Sequence, residues 1–219
     1  MKKTMMVSFG QEARIMLVHL ARRISSFFIS KGTIKEEERQ IYDYCFEIML
    51  STILNFCSVM VIAIITKTVF FTLCFIVGFM IIRATAGGYH AETHMACFMI
   101  LIVSYAIYLI ILQSLSNDII SILTIVICIV SVLLISFLAP VEDHNKPLTK
   151  AEIKEFKKKS YLAMLSLVIV SILLILCMGN KKWGFSFAAG MFIVSMSLIA
   201  GTLKNKIQKC TCIEKNINI

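Results

Sequence analysis

A thiol, two imidazoles and a pair of adjacent glycines lie in one short segment between two apolar stretches of the chain. They belong to Cys97, His90, His94, Gly87 and Gly88. A cysteine becomes a nucleophile when a neighbouring base takes its proton, and histidine is the side chain best suited to this near neutral pH. The segment therefore favours nucleophilic catalysis by a cysteine–histidine dyad.

Two histidines compete for the role of the base. Residues seven apart in a continuous helix are separated by about 10.5 Å of rise, whereas proton transfer needs a hydrogen bond of about 3 Å. His90 therefore reaches Cys97 only if the chain bends between them, and Gly87 and Gly88 supply the backbone freedom for such a bend. His94 precedes Cys97 by three residues and shares its helical face without a bend. Spacing alone favours His94.

The composition indicates where this chemistry takes place. Of the 219 residues 58% are hydrophobic and the mean hydropathy is +0.86, values typical of an integral membrane protein. Six apolar stretches come close to the ~20 residues that a spanning helix needs. They cover residues 46–66, 68–82, 95–112, 119–138, 161–178 and 185–203. The short 68–82 stretch is a tilted span, a re-entrant segment, or a helix completed by part of the Gly-Gly loop. We expect one all-α membrane domain over residues 1–219, with its helical core at 46–203.

The charges predict the orientation. Nineteen of the 22 Lys and Arg residues lie on one side of the spans, and the other three are Lys67, Lys181 and Lys182. Because cytoplasmic loops retain Lys and Arg, we expect both termini, the loop 83–97 and the loop 139–160 in the cytoplasm of a multi-pass cell-membrane protein. The tail 204–219 is then cytoplasmic too. The net charge of +9 indicates contact with the lipid bilayer and not with nucleic acid.

The N-terminal region, residues 1–45, predicts an amphipathic helix and no cleavable signal peptide. One apolar stripe consists of Ala13, Met16, Leu17, Leu20, Ile24, Phe27 and Phe28. Such a stripe is typical of an interfacial helix that lies on the inner leaflet. Its role is either a plain anchor or a docking surface for an amphipathic substrate.

The loop 139–160 combines proline with a lysine-rich helix start. Thr149 and Glu152 have the spacing of a capping box, so we expect a helix to begin at Lys150 and to continue into the fifth span. Five lysines form a basic collar on this helix: Lys150, Lys154, Lys157, Lys158 and Lys159. The collar serves either topological anchoring or the attraction of an acidic peptide segment.

Two motif segments carry a resemblance to a known family. The first is Arg83-x-x-Ala86-Gly87-Gly88-x-His90-Ala91 followed by Cys97, and the second is Ala139-Pro140-Val141 to Asn145-x-Pro147. Together they resemble the accessory gene regulator protein B (AgrB) family of quorum-sensing membrane peptidases. The resemblance extends over nearly the whole chain, including its length, the N-terminal amphipathic region and the order of spans.

The resemblance implies a thiol endopeptidase. Its substrate would be a short amphipathic AgrD-like pro-peptide, which loses its C-terminal tail and closes into a thiolactone or lactone signal. The family pattern assigns catalysis to His90 and Cys97, and substrate binding or loop support to Arg83, Gly87 and Gly88. It also implies a homodimer. No Gly-x-x-x-Gly motif supports a dimer independently, and the nearest small-residue face runs from Gly184 to Gly190.

Two other functions remain as alternatives, and no cofactor or metal is expected. His90-Ala91-Glu92-Thr93-His94 is superficially similar to the His-Glu-x-x-His motif of metalloproteases, but its glutamate is displaced and no third ligand is evident. A peptide transporter or scaffold is the other alternative. Against a transporter, no charged residue lies at the centre of any span, where such residues mark ion or substrate pathways.

Overall fold

The computed structural model describes residues 2–87, 94–141 and 149–217, which form helices and short connections and contain no strand. A short 3-10 turn, Glu36–Glu38, lies between the first two helices. The helices of the described part are α1 (Lys2–Ser30), α2 (Arg39–Ile65), α3 (Val69–Ala86), α4 (His94–Ser114), α5 (Asn117–Leu138), α6 (Lys150–Cys177) and α7 (Lys182–Ile217). The all-α fold class predicted from the sequence is confirmed.

Within the described residues, six helical segments are long and apolar enough to cross a membrane, as expected for a multi-pass membrane protein. They are Glu36–Ile65, Val69–Ala86, Ala96–Ser114, Asn117–Leu138, Ala151–Cys177 and Lys182–Lys204. The short 68–82 stretch belongs to α3, a continuous helix of 18 residues. Arg83 to Ala86 form its last turn, so the structure shows the third possibility, a helix completed by residues of the loop that follows the apolar stretch.

The start of α6 is fixed by its sequence. The Thr149 hydroxyl accepts a hydrogen bond from the Glu152 backbone N–H at 3.3 Å, and the Glu152 carboxylate accepts one from the Thr149 N–H at 2.8 Å. This is the predicted capping box, in which two N–H groups without helical partners are satisfied reciprocally. The helix then runs without interruption from Lys150 into the fifth span.

The chain divides into two compact units, and the first contains α1, α2 and the beginning of α4 up to Ile102. A turn at Gly32 ends α1, where φ of +71° favours glycine and the Gly32 N–H donates to the Ile29 carbonyl at 2.9 Å. The helices α1 and α2 then pack together. Phe28 stacks on Phe46 with ring centroids 5.8 Å apart.

The apolar stripe predicted on α1 does not form one buried face. Ala21 and Ser25 are fully buried, and the Ser25 hydroxyl donates to the carboxylate of Asp43 on α2. By contrast, Met16 and Phe27 of the predicted stripe are 73% and 58% exposed. The helix is confirmed, whereas its position at a lipid interface stays a prediction, and the side chain of Ala13 lies outside the described ones.

The second unit is built around α7, which contacts α3, α5 and α6. Half of the α7 span is buried, against 33% or less for the other five spans. Two tyrosines of α4 join this unit: Tyr105 shares a 2.6 Å hydrogen bond with Thr72 of α3, and Tyr108 shares a 2.7 Å bond with Ser186 of α7. Buried hydroxyls that are paired in this way avoid the cost of an unsatisfied polar group.

Glycines bring the backbones of α3 and α7 into contact. A β-carbon at Gly78 of α3 would lie 2.5 Å from the carbonyl oxygen of Phe187, and one at Gly190 of α7 would collide with the carbonyl oxygen of Phe75. Gly184 makes an equally close approach to α6. The small-residue face from Gly184 to Gly190 is therefore buried between helices of the same chain, where absent side chains allow close packing.

Candidate functional site

The C-terminal end of α3 holds one of the predicted site residues, Arg83, in its last turn. The half-buried guanidinium donates to the Gly87 carbonyl at 3.3 Å and to the Ser197 hydroxyl of α7 at 3.2 Å. A cation at this end is also favoured by the partial negative charge of a helix C-terminus. Arg83 therefore braces the end of α3 against α7.

The helix ends at Gly87 for two physical reasons. Its φ of +71° lies in the left-handed region that side chains disfavour. In addition, a β-carbon there would lie 2.7 Å from the carbonyl oxygen of Val141. Of the residue types, only glycine satisfies both conditions, and this accounts for the first glycine of the Gly-Gly pair.

The two motif segments meet at this point. Gly87 and Val141 form an isolated parallel bridge, and the Val141 N–H donates to the Ala86 carbonyl at 3.1 Å. The segment Ala139-Pro140-Val141, which follows α5, is thereby fastened to the end of α3. We call this arrangement of Arg83, Gly87, Val141 and Ser197 the α3 junction.

Cys97 lies in the first unit, in the opening turn of α4. Its thiol is free and half-buried, so it is neither locked in a disulfide nor sealed from solvent. The sequence predicted a place in the first turns of the third span, and the helix start at His94 agrees with that prediction. A cysteine near a helix N-terminus has the local environment in which reactive thiols are found.

Three parts of the predicted site lie outside the description. Gly88 and His90 belong to residues 88–93, which the structure does not describe. The backbone of His94 is helical, but its side chain is also outside the described ones. The identity of the base therefore stays a prediction, as does the role of Gly88.

Metal-binding side chains do not cluster in the described part of the chain. Among the side chains that the structure describes, no three of His, Cys, Asp or Glu are close enough together to hold a metal ion. The side chains of His90 and His94, on which the metalloprotease alternative depends, lie outside the described ones.

Ser197 is the contact that the sequence did not reveal. It lies on α7, far along the chain from Arg83, and a serine within an apolar span carries no signal of its own. Its hydroxyl also donates to the Val194 carbonyl of its own helix at 2.8 Å, which is the ordinary behaviour of serine in a helix. Only the packing of α3 on α7 indicates its role.

Fold and site together define a helical multi-pass membrane protein with a free thiol at the start of one span and a braced junction at the end of another. A family model described as Accessory gene regulator B, AgrB, matches residues 21–198. The chain belongs to the AgrB family, which takes part in accessory gene regulator quorum-sensing signal processing.

Two curated relatives come from Clostridium perfringens. An AgrB-like protein of strain SM101 (type A) is 26% identical over 174 residues, which cover 77% of this chain and 81% of the relative. AgrB-like protein 2 of strain 13 (type A) is 23% identical over 177 residues, which cover 78% of this chain and 83% of the relative. No solved structure shows a significant match.

Proposed function

We propose that this protein is a cysteine endopeptidase that cleaves the C-terminal tail from a short amphipathic AgrD-like pro-peptide and cyclises the remainder. The product would be a thiolactone or lactone signal. The observation that carries this proposal is the half-buried free thiol of Cys97 in the first turn of α4. Membership in the AgrB family supports the assignment to autoinducer processing.

In the first step, His90 takes the proton of the Cys97 thiol. The thiolate attacks the backbone carbonyl that precedes the pro-peptide's tail. The C–N bond breaks, a proton from His90 goes to the departing amine, and the tail leaves. The new bond is a thioester between Cys97 and the substrate.

In the second step, a cysteine or serine within the substrate attacks this thioester. The carbon–sulfur bond to Cys97 breaks, a ring forms, and the enzyme thiol is regenerated. Forming a thioester from a peptide bond is uphill, so the intermediate must be kept from water and the products drawn away.

The α3 junction supports this chemistry as a frame. Arg83 holds the Gly87 carbonyl, and Val141 holds the Ala86 carbonyl, so the segment that leads to His90 starts from a fixed point. Backbone N–H groups near Gly87 and Gly88 would then serve as donors to the oxyanion of the tetrahedral intermediate. In this scheme Arg83 is a positioning residue, because its guanidinium is engaged within the chain.

The proposal includes a location and an assembly. The charge asymmetry supports a cell-membrane protein with both termini and the loop 83–97 in the cytoplasm. Family membership supports a homodimer. Cysteine-accessibility labelling on sealed vesicles would test the orientation, and the mass of the detergent-solubilised protein would test the assembly.

The central experiment is co-expression with the tagged cognate pro-peptide. Tail release is followed by gel and the cyclic product by mass spectrometry for wild type, Cys97→Ala, His90→Ala and His94→Ala. Cys57→Ala is the matched control, because Cys57 is another free thiol of the same unit. We expect Cys97→Ala and His90→Ala to abolish tail release, and His94→Ala and Cys57→Ala to retain it.

The other outcomes would assign a different base or a different function to this protein. Loss with His94→Ala and retention with His90→Ala would move the base to His94. Processing by Cys97→Ala would overturn the proposal and favour a transporter or scaffold. Loss of activity with a chelator, together with resistance to thiol alkylation, would indicate the metalloprotease instead.

A further inference from the structure

Two cavities follow one another along the contact between α5 and α6, which we call the α5–α6 seam. The larger has a volume of about 580 Å³ and lies near the N-terminal end of α6. The smaller, of about 210 Å³, lies deeper along the same two helices. Neither involves the α3 junction or Cys97.

The larger cavity is lined by positive charge. Lys154, Lys157 and Lys158 contribute to its wall, together with Ser136 and Tyr161. Lys157 and Lys158 follow Lys154 by three and four residues, so all three lie on one side of α6. Within the part of the chain that the structure describes, none of the three forms an ion pair with a carboxylate.

The neighbouring lysine behaves differently. Lys159 pairs with Glu155 at 2.7 Å, and its ammonium lies 5.7 Å from the centre of the Phe156 ring. Lys159 does not line the cavity. The three lysines that line the cavity therefore have no counter-ion among the described residues, whereas Lys159, outside the lining, has one.

The smaller cavity is apolar throughout. Its wall is formed by branched side chains, which include Val132, Ile129, Val168 and Ile172, together with the thiol-bearing Cys128. Ile129 and Ile172 are 56% and 40% exposed, so the cavity opens toward the surroundings of the helices. At this depth those surroundings are the hydrocarbon of a bilayer.

The order of the cavities matches the shape of a lipid. Along α6, from Tyr161 of the charged cavity to Ile172 of the apolar one, the axis rises about 16 Å. This is close to the roughly 15 Å thickness of one hydrocarbon leaflet. Along α5, residue numbers fall in the same direction, from Ile135 to Ile125.

We propose that the α5–α6 seam is a binding site for an anionic glycerophospholipid. The phosphate lies among Lys154, Lys157 and Lys158, with the hydroxyls of Ser136 and Tyr161 as further donors. One acyl chain lies along the apolar cavity. A peptide fits less well, because its backbone N–H and C=O groups would find no partner in that cavity, whereas an aliphatic chain needs none.

The test uses the purified full-length chain in detergent. An equimolar mixture of phosphatidylglycerol and phosphatidylcholine with identical acyl chains is added, and retained lipid is counted by native mass spectrometry. We expect wild type to prefer phosphatidylglycerol, with each cavity lysine contributing on the order of fivefold. Lys158→Gln should lower the preference, and the combined Lys154→Gln, Lys157→Gln and Lys158→Gln variant should abolish it.

Two matched controls separate this site from general effects. Lys159→Gln removes the same charge one residue away but should leave the preference unchanged, because Lys159 does not line the cavity. Val132→Trp should displace the lipid by filling the apolar cavity. Val126→Trp adds the same bulk at an exposed position outside that lining and should retain the lipid.

Three results would overturn the proposal. One is the absence of a preference for phosphatidylglycerol in wild type. Another is an equal loss with Lys159→Gln and Lys158→Gln, which would indicate a diffuse charge effect. The third is displacement of the lipid by a short acidic peptide without an acyl chain, which would make the seam a peptide site.

Discussion

Two helix–helix contacts in the second unit differ in how closely their helices pack. Between α3 and α7, Gly78 and Gly190 bring backbones together, and the Arg83 to Ser197 hydrogen bond closes the contact at the α3 junction. Between α5 and α6 two open cavities remain, an apolar one lined by branched residues such as Val132 and Ile172 and a larger one lined by lysines. We call the first contact the α3–α7 seam.

The difference shows how a membrane protein separates support from binding. Lipid tails are as apolar as leucine, so helices in a bilayer associate through close packing and not through a hydrophobic drive between them. The α3–α7 seam makes use of that packing and carries the segment that leads to the proposed catalytic loop. The α5–α6 seam leaves volume unfilled, and this gives a ligand somewhere to bind.

The largest expected effect comes from Gly190→Val, which would disrupt the packing of the α3–α7 seam. Its β-carbon would meet the backbone oxygen of Phe75, and a backbone atom cannot turn away as a side chain can. We expect the free energy of unfolding to fall by about 3 kcal/mol or more, because overpacking here forces the two helices apart. Thermal unfolding and size-exclusion profiles in detergent would measure it. Gly179→Ala is the control, since a β-carbon there has no neighbour within 4 Å.

Gly87→Ala should come next. Strain at positive φ and the contact with Val141 together should destabilise the folded α3 junction by about 1–3 kcal/mol and lower pro-peptide processing. Gly32→Ala is a matched control, because Gly32 has the same φ of +71° but no neighbour within 4 Å. Equal effects of the two variants on processing would mean that the Val141 contact does not matter.

Ser197→Ala should have a smaller effect on the same seam. It removes a hydrogen bond to the charged Arg83, and we expect about 1 kcal/mol of destabilisation with a partial loss of processing. Ser58→Ala, which removes an exposed hydroxyl bonded only to its own helix, should change neither quantity. Wild-type processing and stability in Ser197→Ala would show that the brace is not needed.

The smallest effect is expected on the open seam, with Leu133→Ala. This side chain lines the apolar cavity and is 53% exposed, so its removal should change the unfolding free energy by no more than about 0.5 kcal/mol. Leu198→Ala on α7 is the contrast. Because Leu198 is fully buried, this substitution should lower the free energy of unfolding by about 2–5 kcal/mol. Similar losses in the two variants would abolish the distinction between the contacts.

Several features were determined by the sequence alone. Hydropathy predicted six spans, and the described residues contain six helices of that kind, because a bilayer sets the length that an apolar helix needs to cross it. The capping box at Thr149 fixed the start of α6, because its hydrogen bonds are local. The place of Cys97 at the beginning of α4 followed from where the apolar run begins.

Other features were decided only by the tertiary structure. The sequence left open whether residues of the 83–97 loop complete α3, and in the structure α3 runs to Ala86 with Arg83 hydrogen-bonded to Ser197 of α7. The apolar stripe of α1 does not indicate which residues pack on α2, since Met16 is exposed while Ser25 is buried beside Asp43. In a membrane protein apolar residues face both lipid and protein, so hydropathy does not tell these faces apart. Which helices approach one another depends on contacts between residues distant in the chain, and a single sequence does not encode these in its local pattern.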